Sequence, residues 1–181
     1  MQTLPITRLQ SLISEVAIRP LLETELPGLE WDGEFTHFRR LYAEIYQSTR
    51  SGKALIWVAE LEGVGLIGQL FVQLSSARTE LADGKQRAYI YGFRIKPDYR
   101  SQGVGTHMLS IVEADLAVRK YDFVTLNVGQ DNPRARRLYE QLGYKVIAED
   151  PGRWSYIDHQ GRRREVHEPA WRMEKKLNGR D

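Results

Sequence analysis

The segment Tyr91-Gly92-Phe93-Arg94-Ile95-Lys96-Pro97-Asp98-Tyr99-Arg100-Ser101-Gln102-Gly103-Val104-Gly105 concentrates chemistry in a short stretch. A run of aromatic and branched residues ends at Pro97. A loop carrying Gly103 and Gly105 then opens directly into an apolar stripe at helical spacing, Val104, Met108, Ile111, Val112 and Leu116. Glycines without Cβ let backbone N–H groups approach an anion, and a helix N-terminus adds its partial positive charge. That combination suits a diphosphate, with Arg100 and Thr106 as further donors. Plain helix entry is the competing reading. G-x-G without a third glycine argues against a dinucleotide-binding fold, and no G-K-[ST] follows to make a nucleotide P-loop. Gly92, inside an otherwise aromatic and branched strand, marks a bulge or a close backbone approach. A bulge would turn unpaired N–H and C=O groups outward, where an extended amide-bearing ligand can pair with them.

A second cluster lies downstream, at Asn132-Pro133-Arg134-Ala135-Arg136-Arg137-Leu138-Tyr139-Glu140-Gln141-Leu142-Gly143-Tyr144. Asn then Pro starts a helix, so Asn132 reads as an N-cap. Tyr139 falls on the apolar stripe and by itself reads as core. Arg134, Arg136 and Arg137 form either a solvated face or a phosphate site. Upstream, Glu23, Glu25, Glu30, Asp32 and Glu34 put five carboxylates into twelve residues with no Lys or Arg between them. Such a patch either attracts a cationic amine or is a solvated acidic face. No cysteine is present, which excludes disulfides, Cys-based metal sites and a cysteine acyl-enzyme.

The elements that position these groups follow from periodicity. Val16–Pro20 reads as a short strand. Phe35, Phe38, Leu41, Tyr42, Ile45 and Tyr46 recur at helical spacing and close near Gly52. Residues 54–61 and 66–74 form two strands about a Glu62-Gly63-Val64-Gly65 turn, and 75–86 a polar loop before a long strand over 87–95. The rhythm then alternates: helix from Val104, strand 123–128, helix through Ala135–Leu142 closed by Gly143, and strands at 144–147 and 171–177, with an extra one at 154–158. An antiparallel opening followed by strand–helix repeats predicts an α/β fold, a mixed sheet of about six to seven strands with helices on both faces.

With 181 residues, 41% hydrophobic and 28% charged, the chain fits one globular domain over residues 1–181. No apolar run reaches the ~20 residues of a membrane helix, and no signal-peptide stretch opens the sequence, so the expected location is cytoplasmic, with no membrane partner. Net charge is +2 but unevenly spread: residues 1–84 carry 7 Lys+Arg against 11 Asp+Glu, and residues 85–145 carry 11 against 6. That division suits an anion on the middle segment and a cation on the first. The Arg162-Arg163-Arg164 run reads more simply as a charged hairpin than as a nucleic-acid surface, so no nucleic-acid partner is expected. A homodimer stands among the assemblies the sequence allows.

Taken together and in this order, these segments resemble the GNAT superfamily of N-acetyltransferases. Arg100-Ser101-Gln102-Gly103-Val104-Gly105 fits its acetyl-CoA signature [RQ]-x-x-G-x-[GA]. Asn132, Ala135, Tyr139 and Leu142-Gly143-Tyr144 fit its later N-x-x-A-x-x-x-Y and L-G-[FY] pattern. The specific part covers residues 91–144, with an acetyl-CoA-binding core of about 87–145. The resemblance implies acetyl-CoA as co-substrate, no metal, and a small-molecule or peptide amine as acceptor. Phe93 and Ile95 would pair backbone groups with the pantetheine arm, with Arg94 between them. Arg100, Ser101, Gln102, Gly103, Val104 and Gly105, with Thr106, would wrap the pyrophosphate, Asn132 would bind the cofactor arm, and Tyr139 would protonate the departing thiolate. Some members place a base Glu on the strand after the signature helix. Here that strand reads Leu126-Asn127-Val128, and Asn127 cannot be a base. Glu34 is the candidate base, with Glu60 and Tyr91 as rivals. A protein N-terminal or lysine acetyltransferase, and a non-catalytic acetyl-CoA-binding module, remain the alternatives.

Overall fold

Alternation of apolar and polar residues, punctuated by glycine and proline, sets the element order of the computed structural model, which describes residues 12–177. Strand β1 (Val16–Pro20) leads into two 3-10 segments (Glu23–Gly33 and Thr36–Phe38) and helix α1 (Arg39–Arg50). Strands β2 (Ala54–Leu61), β3 (Gly65–Gln73) and β4 (Arg87–Ile95) follow, then a 3-10 turn (Pro97–Tyr99) and helix α2 (Val104–Val118). Strand β5 (Phe123–Gly129), helix α3 (Pro133–Gln141) and strands β6 (Lys145–Asp150), β7 (Arg153–Ile157), β8 (Arg163–His167) and β9 (Ala170–Lys176) complete the described residues.

Seven strands form one mixed sheet in the order β1-β2-β3-β4-β5-β9-β6, while β7 and β8 pair as a separate hairpin. The first four strands are antiparallel and β4 and β5 are parallel. The strand–helix repeats do not place β6 beside β5. The last strand, β9, inserts antiparallel between them, with Leu126 opposite Met173 and Met173 opposite Val146.

Helices cover both faces. Val104, Met108, Leu109, Val112 and Leu116 of α2 bury against Ala88, Ile90, Val124, Leu126, Val128 and Met173. Removing a side chain such as Leu116 costs about 2–5 kcal/mol, because packed interiors relax little around a cavity. On the opposite face Tyr42 and Ile45 of α1 pack with Leu29 against Ile56, Val58 and Phe71.

The helical stripe that begins at Phe35 is not one helix. Trp31 and Asp32 adopt left-handed backbone angles and the chain kinks before the Thr36–Phe38 turn, so regular helix starts only at Arg39. The rings of Phe35 and Phe38 remain packed, half-buried, against the margin of the Leu29–Tyr42 cluster.

Candidate active site

The β4–β5 ladder stops at Ile90 opposite Leu126. Beyond that pair the strands part, β4 running on to Ile95 and β5 to Gly129 without pairing to each other. Gly92 sits at this point with φ +58, and the register against β3 slips by one residue on β4, since Gln69 faces Arg94 but Phe71 faces Tyr91. The bulge expected at Gly92 is present. It also reverses the alternation of faces: Ala88 and Ile90 precede it on the α2 face, and Phe93 and Ile95 follow it there.

Phe93 and Ile95 line one wall of a cleft of about 690 Å³ running between α2 and α3. Tyr99, Arg100, Ser101, Gly103, Gly105, Thr106 and Leu109 line it from the loop and α2, and Asn132, Arg134, Arg137, Leu138 and Tyr139 from α3. Gly103 takes φ +84 as the residue before α2, so the first N–H groups of that helix, which have no intrahelical partner, face the loop. The Nε of Arg100 donates to the Ile95 carbonyl at 2.7 Å and fixes the loop to the end of β4. Arg134 Nη2 lies 3.5 Å from Ser101 Oγ, so α3 and the loop approach each other at the mouth. None of Arg100, Arg134 and Arg137 has a carboxylate partner among the described residues, and the donor set fits a phosphate-bearing group. The Asn132 carboxamide oxygen accepts from the Ala135 N–H at 3.1 Å, so this residue caps α3 while its NH₂ group remains a donor in the cleft.

Three expected cofactor contacts are not cleft side chains. Val104 is buried on the core face of α2, and Gln102 turns back to donate to the Asp98 carbonyl. Arg94, the residue after Phe93, points to the other face of the sheet because strand neighbours alternate. Only their backbone groups remain available to a ligand here. The arginines of α3 also divide: Arg136 pairs with Glu140 and stacks on Trp171, while Arg134 and Arg137 line the cleft. Leu138, placed on the core stripe by its spacing, is 45% exposed and forms part of the cleft wall. Tyr99 and Leu109 were not legible as site residues, because single apolar side chains carry no signal that separates cleft from core.

Tyr139 lies in the cleft with its ring edge-on to Tyr144, 5.7 Å between centroids. Burial pushes its pKa up to about 12, so the hydroxyl stays protonated through neutral pH.

On the far face, Asn127 follows the last β4–β5 pair and lies against Asp150. Burial alone would raise the Asp150 pKa, but Arg78 at 2.7 Å, the Gly152 N–H and Asn127 hold it below the usual carboxylate range. Asp150 is thus ionised but committed to Arg78. Of the base candidates, Glu60 is held by Arg19, and Tyr91 is pushed well above its ordinary value by burial and so keeps its proton. Glu34 is exposed at the end of the first 3-10 segment, next to Phe35. The acidic patch is not five free carboxylates. Arg19 binds Glu25 and Arg39 binds Glu30, two partners that lie outside the stretch that looked unneutralised.

The model of the acetyltransferase (GNAT) family matches residues 17–144, and the chain belongs to that family. It is 28% identical over 93 residues to YycN of Bacillus subtilis (strain 168), an uncharacterized N-acetyltransferase, a match spanning 50% of this chain and 54% of that one. The chain therefore aligns with about half the length of this relative. Among solved structures, Ard1 from Thermoplasma volcanium superposes with a TM-score of 0.69 at 16% identity, covering 91% of this chain and 99% of the other. The spermidine/spermine N-acetyltransferase SpeG from Vibrio cholerae gives 0.68 at 17% identity, covering 92% and 95%. The ribosomal-protein-S18-alanine N-acetyltransferase from Escherichia coli gives 0.66 at 20% identity, covering 92% and 96%. These likenesses establish the GNAT fold. Among the described residues no group of three or more His, Asp or Glu is arranged to hold a metal, and no helix is long and apolar enough to cross a membrane.

Proposed function

We propose that this chain, taken as one acetyltransferase domain, transfers the acetyl group of acetyl-CoA to a primary amine by direct attack in a ternary complex. The observation that carries the reading is the parting of β4 and β5 after Ile90, with a phosphate-suited cleft and Tyr139 on one face and the aromatic cluster of Phe38, Trp154 and Tyr156 on the other. A thioester lying along Phe93–Ile95 would meet an amine arriving from the far face. Attack builds an oxyanion, which an outward N–H of the bulged strand would stabilise. An alkylamine with an ordinary pKa of about 10 must first lose a proton, and Glu34, acting through water, is the proposed base.

Tyr139 would serve the departing sulfur. Burial keeps the Tyr139 hydroxyl protonated at neutral pH, so it is available as a proton donor to the departing sulfur. As general acid, Tyr139 would give its proton to the departing thiolate and recover one, through water, from the newly acylated nitrogen, so that CoA leaves as the thiol. No covalent acyl-enzyme is needed, consistent with the lack of cysteine.

The acceptor is proposed to be a small-molecule amine. The similar structures bear the names of a spermidine/spermine enzyme and a ribosomal-protein-S18-alanine enzyme, so a protein N-terminal or lysine acceptor is the second reading. Release of free CoA thiol from acetyl-CoA across an amine panel tests the activity. A folded protein that binds acetyl-CoA yet releases no thiol with any amine would favour the non-catalytic binding module instead.

A further inference from the structure

Arg94 comes two residues after Gly92, and the bulge sends its side chain to the face opposite the cleft. Its guanidinium carbon lies 4.4 Å from the Phe35 ring centroid and 5.6 Å from that of Phe38, and Nη1 lies 3.5 Å from Tyr42 Oη. The rings hold the plane of the cation and strip water from it, but they supply no counter-charge, and most of its N–H donors remain unused.

This arginine is an exception among its kind. Among the described residues, the other partly buried arginines are Arg19, Arg87, Arg136 and Arg172. Each lies within salt-bridge distance of a carboxylate: Glu25 and Glu60, Glu174, Glu140 and Glu80 respectively. Arg94 is partly buried and has none. Of the acidic groups on this side, Glu30 is engaged by Arg39 and Asp158 by Arg164, while Glu34, next to Phe35, is exposed and makes no ion pair with Arg94. His37, its ring 4.2 Å from Phe38, is held below its ordinary pKa by burial and then by the charges of Arg94, His159 and Arg164. Among the described residues, the Arg94 guanidinium is left without a carboxylate within salt-bridge distance. The aromatic cluster continues from Phe38 to Tyr156 and Trp154, with Phe38–Tyr156 centroids 4.9 Å apart and Trp154–Tyr156 5.3 Å apart.

We infer that Arg94 is a specificity-determining residue that pairs with a carboxylate of the acceptor, so that the substrate is an amino carboxylate and not a polyamine. The inference rests on the acetyltransferase reading above. A planar guanidinium with a free edge matches a carboxylate bidentately, and the aromatic frame fixes the orientation before the acceptor arrives. The amine at the other end of the same molecule would then reach the parting of β4 and β5.

The test uses the full chain, acetyl-CoA and matched acceptors: aliphatic amino acids with the amine α or ω to the carboxylate, each beside its own carboxamide, with spermidine as the polycation. The carboxylate member of the preferred pair should exceed its carboxamide in kcat/KM by roughly 10–100-fold, the range of a hydrogen bond to a charged group. Arg94→Gln should erase that preference while leaving turnover of the carboxamide and the KM for acetyl-CoA unchanged, and Arg94→Lys should restore part of it. Better turnover of carboxamides or spermidine by the unaltered protein would overturn the inference, and that comparison needs no variant to fold. An equal loss on both members of the pair in Arg94→Gln would overturn it too. Absence of thiol release with every amine would refute the transferase reading itself and this inference with it.

Discussion

The Phe71 ring lies so close to Gly92 that a Cβ built on that glycine would meet Phe71 Cδ2 at 2.5 Å. The φ of +58 at Gly92 is a second bar to any side chain. Contact and backbone conformation together hold the bulge that turns Phe93 to the cleft and Arg94 to the aromatic cluster. Gly92→Ala is expected to destabilise the fold by about 1–3 kcal/mol from the backbone conformation alone, with the clash added. Thermal melting should show a Tm lower by roughly 5–10 °C, and the KM for acetyl-CoA should rise. A variant with unchanged Tm and KM would show that the bulge does not depend on this glycine.

Gly105 separates cofactor binding from folding better than Gly103 does. Gly103 needs φ +84, and a Cβ there would press on Ile13 at 3.1 Å, so substitution mixes strain with any effect on binding. Gly105 is helical, and a Cβ would stand at an ordinary 3.5 Å from Phe93 Cζ, at the floor of the cleft. Gly105→Glu should therefore fold, place a negative charge where the phosphates are expected, and abolish acetyl-CoA binding in calorimetry. Normal binding by the folded variant would contradict the assignment of the loop.

Tyr139→Phe keeps the ring against Tyr144 and removes only the hydroxyl. If that hydroxyl assists sulfur departure, kcat should fall about 10²–10⁴-fold with little change in the KM for acetyl-CoA. Unchanged turnover would make Tyr139 a packing residue.

The acidic stretch should divide by partner. The Arg39 hydrogen bond holds the Glu30 pKa below its usual 4.5, so the pair contributes stability at neutral pH that is lost as pH falls below 4.5 toward the folded value. Glu30→Gln should lower Tm by a few degrees at pH 7, and its difference from the unaltered protein should close on acidification. Glu34 makes no ion pair among the described residues, so Glu34→Gln should leave Tm unchanged and alter the acidic limb of the pH–rate profile if Glu34 is the base. The reverse pattern, Tm lost with Glu34→Gln and not with Glu30→Gln, would contradict this division.

Much of the architecture could be read along the chain because it rests on local physics. The strand over Arg87–Ile95, the glycine-led entry to α2 and the Asn132–Pro133 start of α3 follow from side-chain period, β-branching and capping, all set within a few residues. The cofactor side of the site was legible for the same reason, since a loop and the helix it opens are contiguous. What lies across the sheet was not. Insertion of β9 between β5 and β6 depends on pairing partners distant in sequence. The neutralisation of Glu25 and Glu30 depends on arginines lying outside the acidic run. Arg94 shows the division most sharply: its sequence neighbours place it with the cofactor, but one extra residue in a bulge reverses its face. Whether its charge is met by a carboxylate is decided by which elements fold over it, and periodicity along one strand carries no information about that.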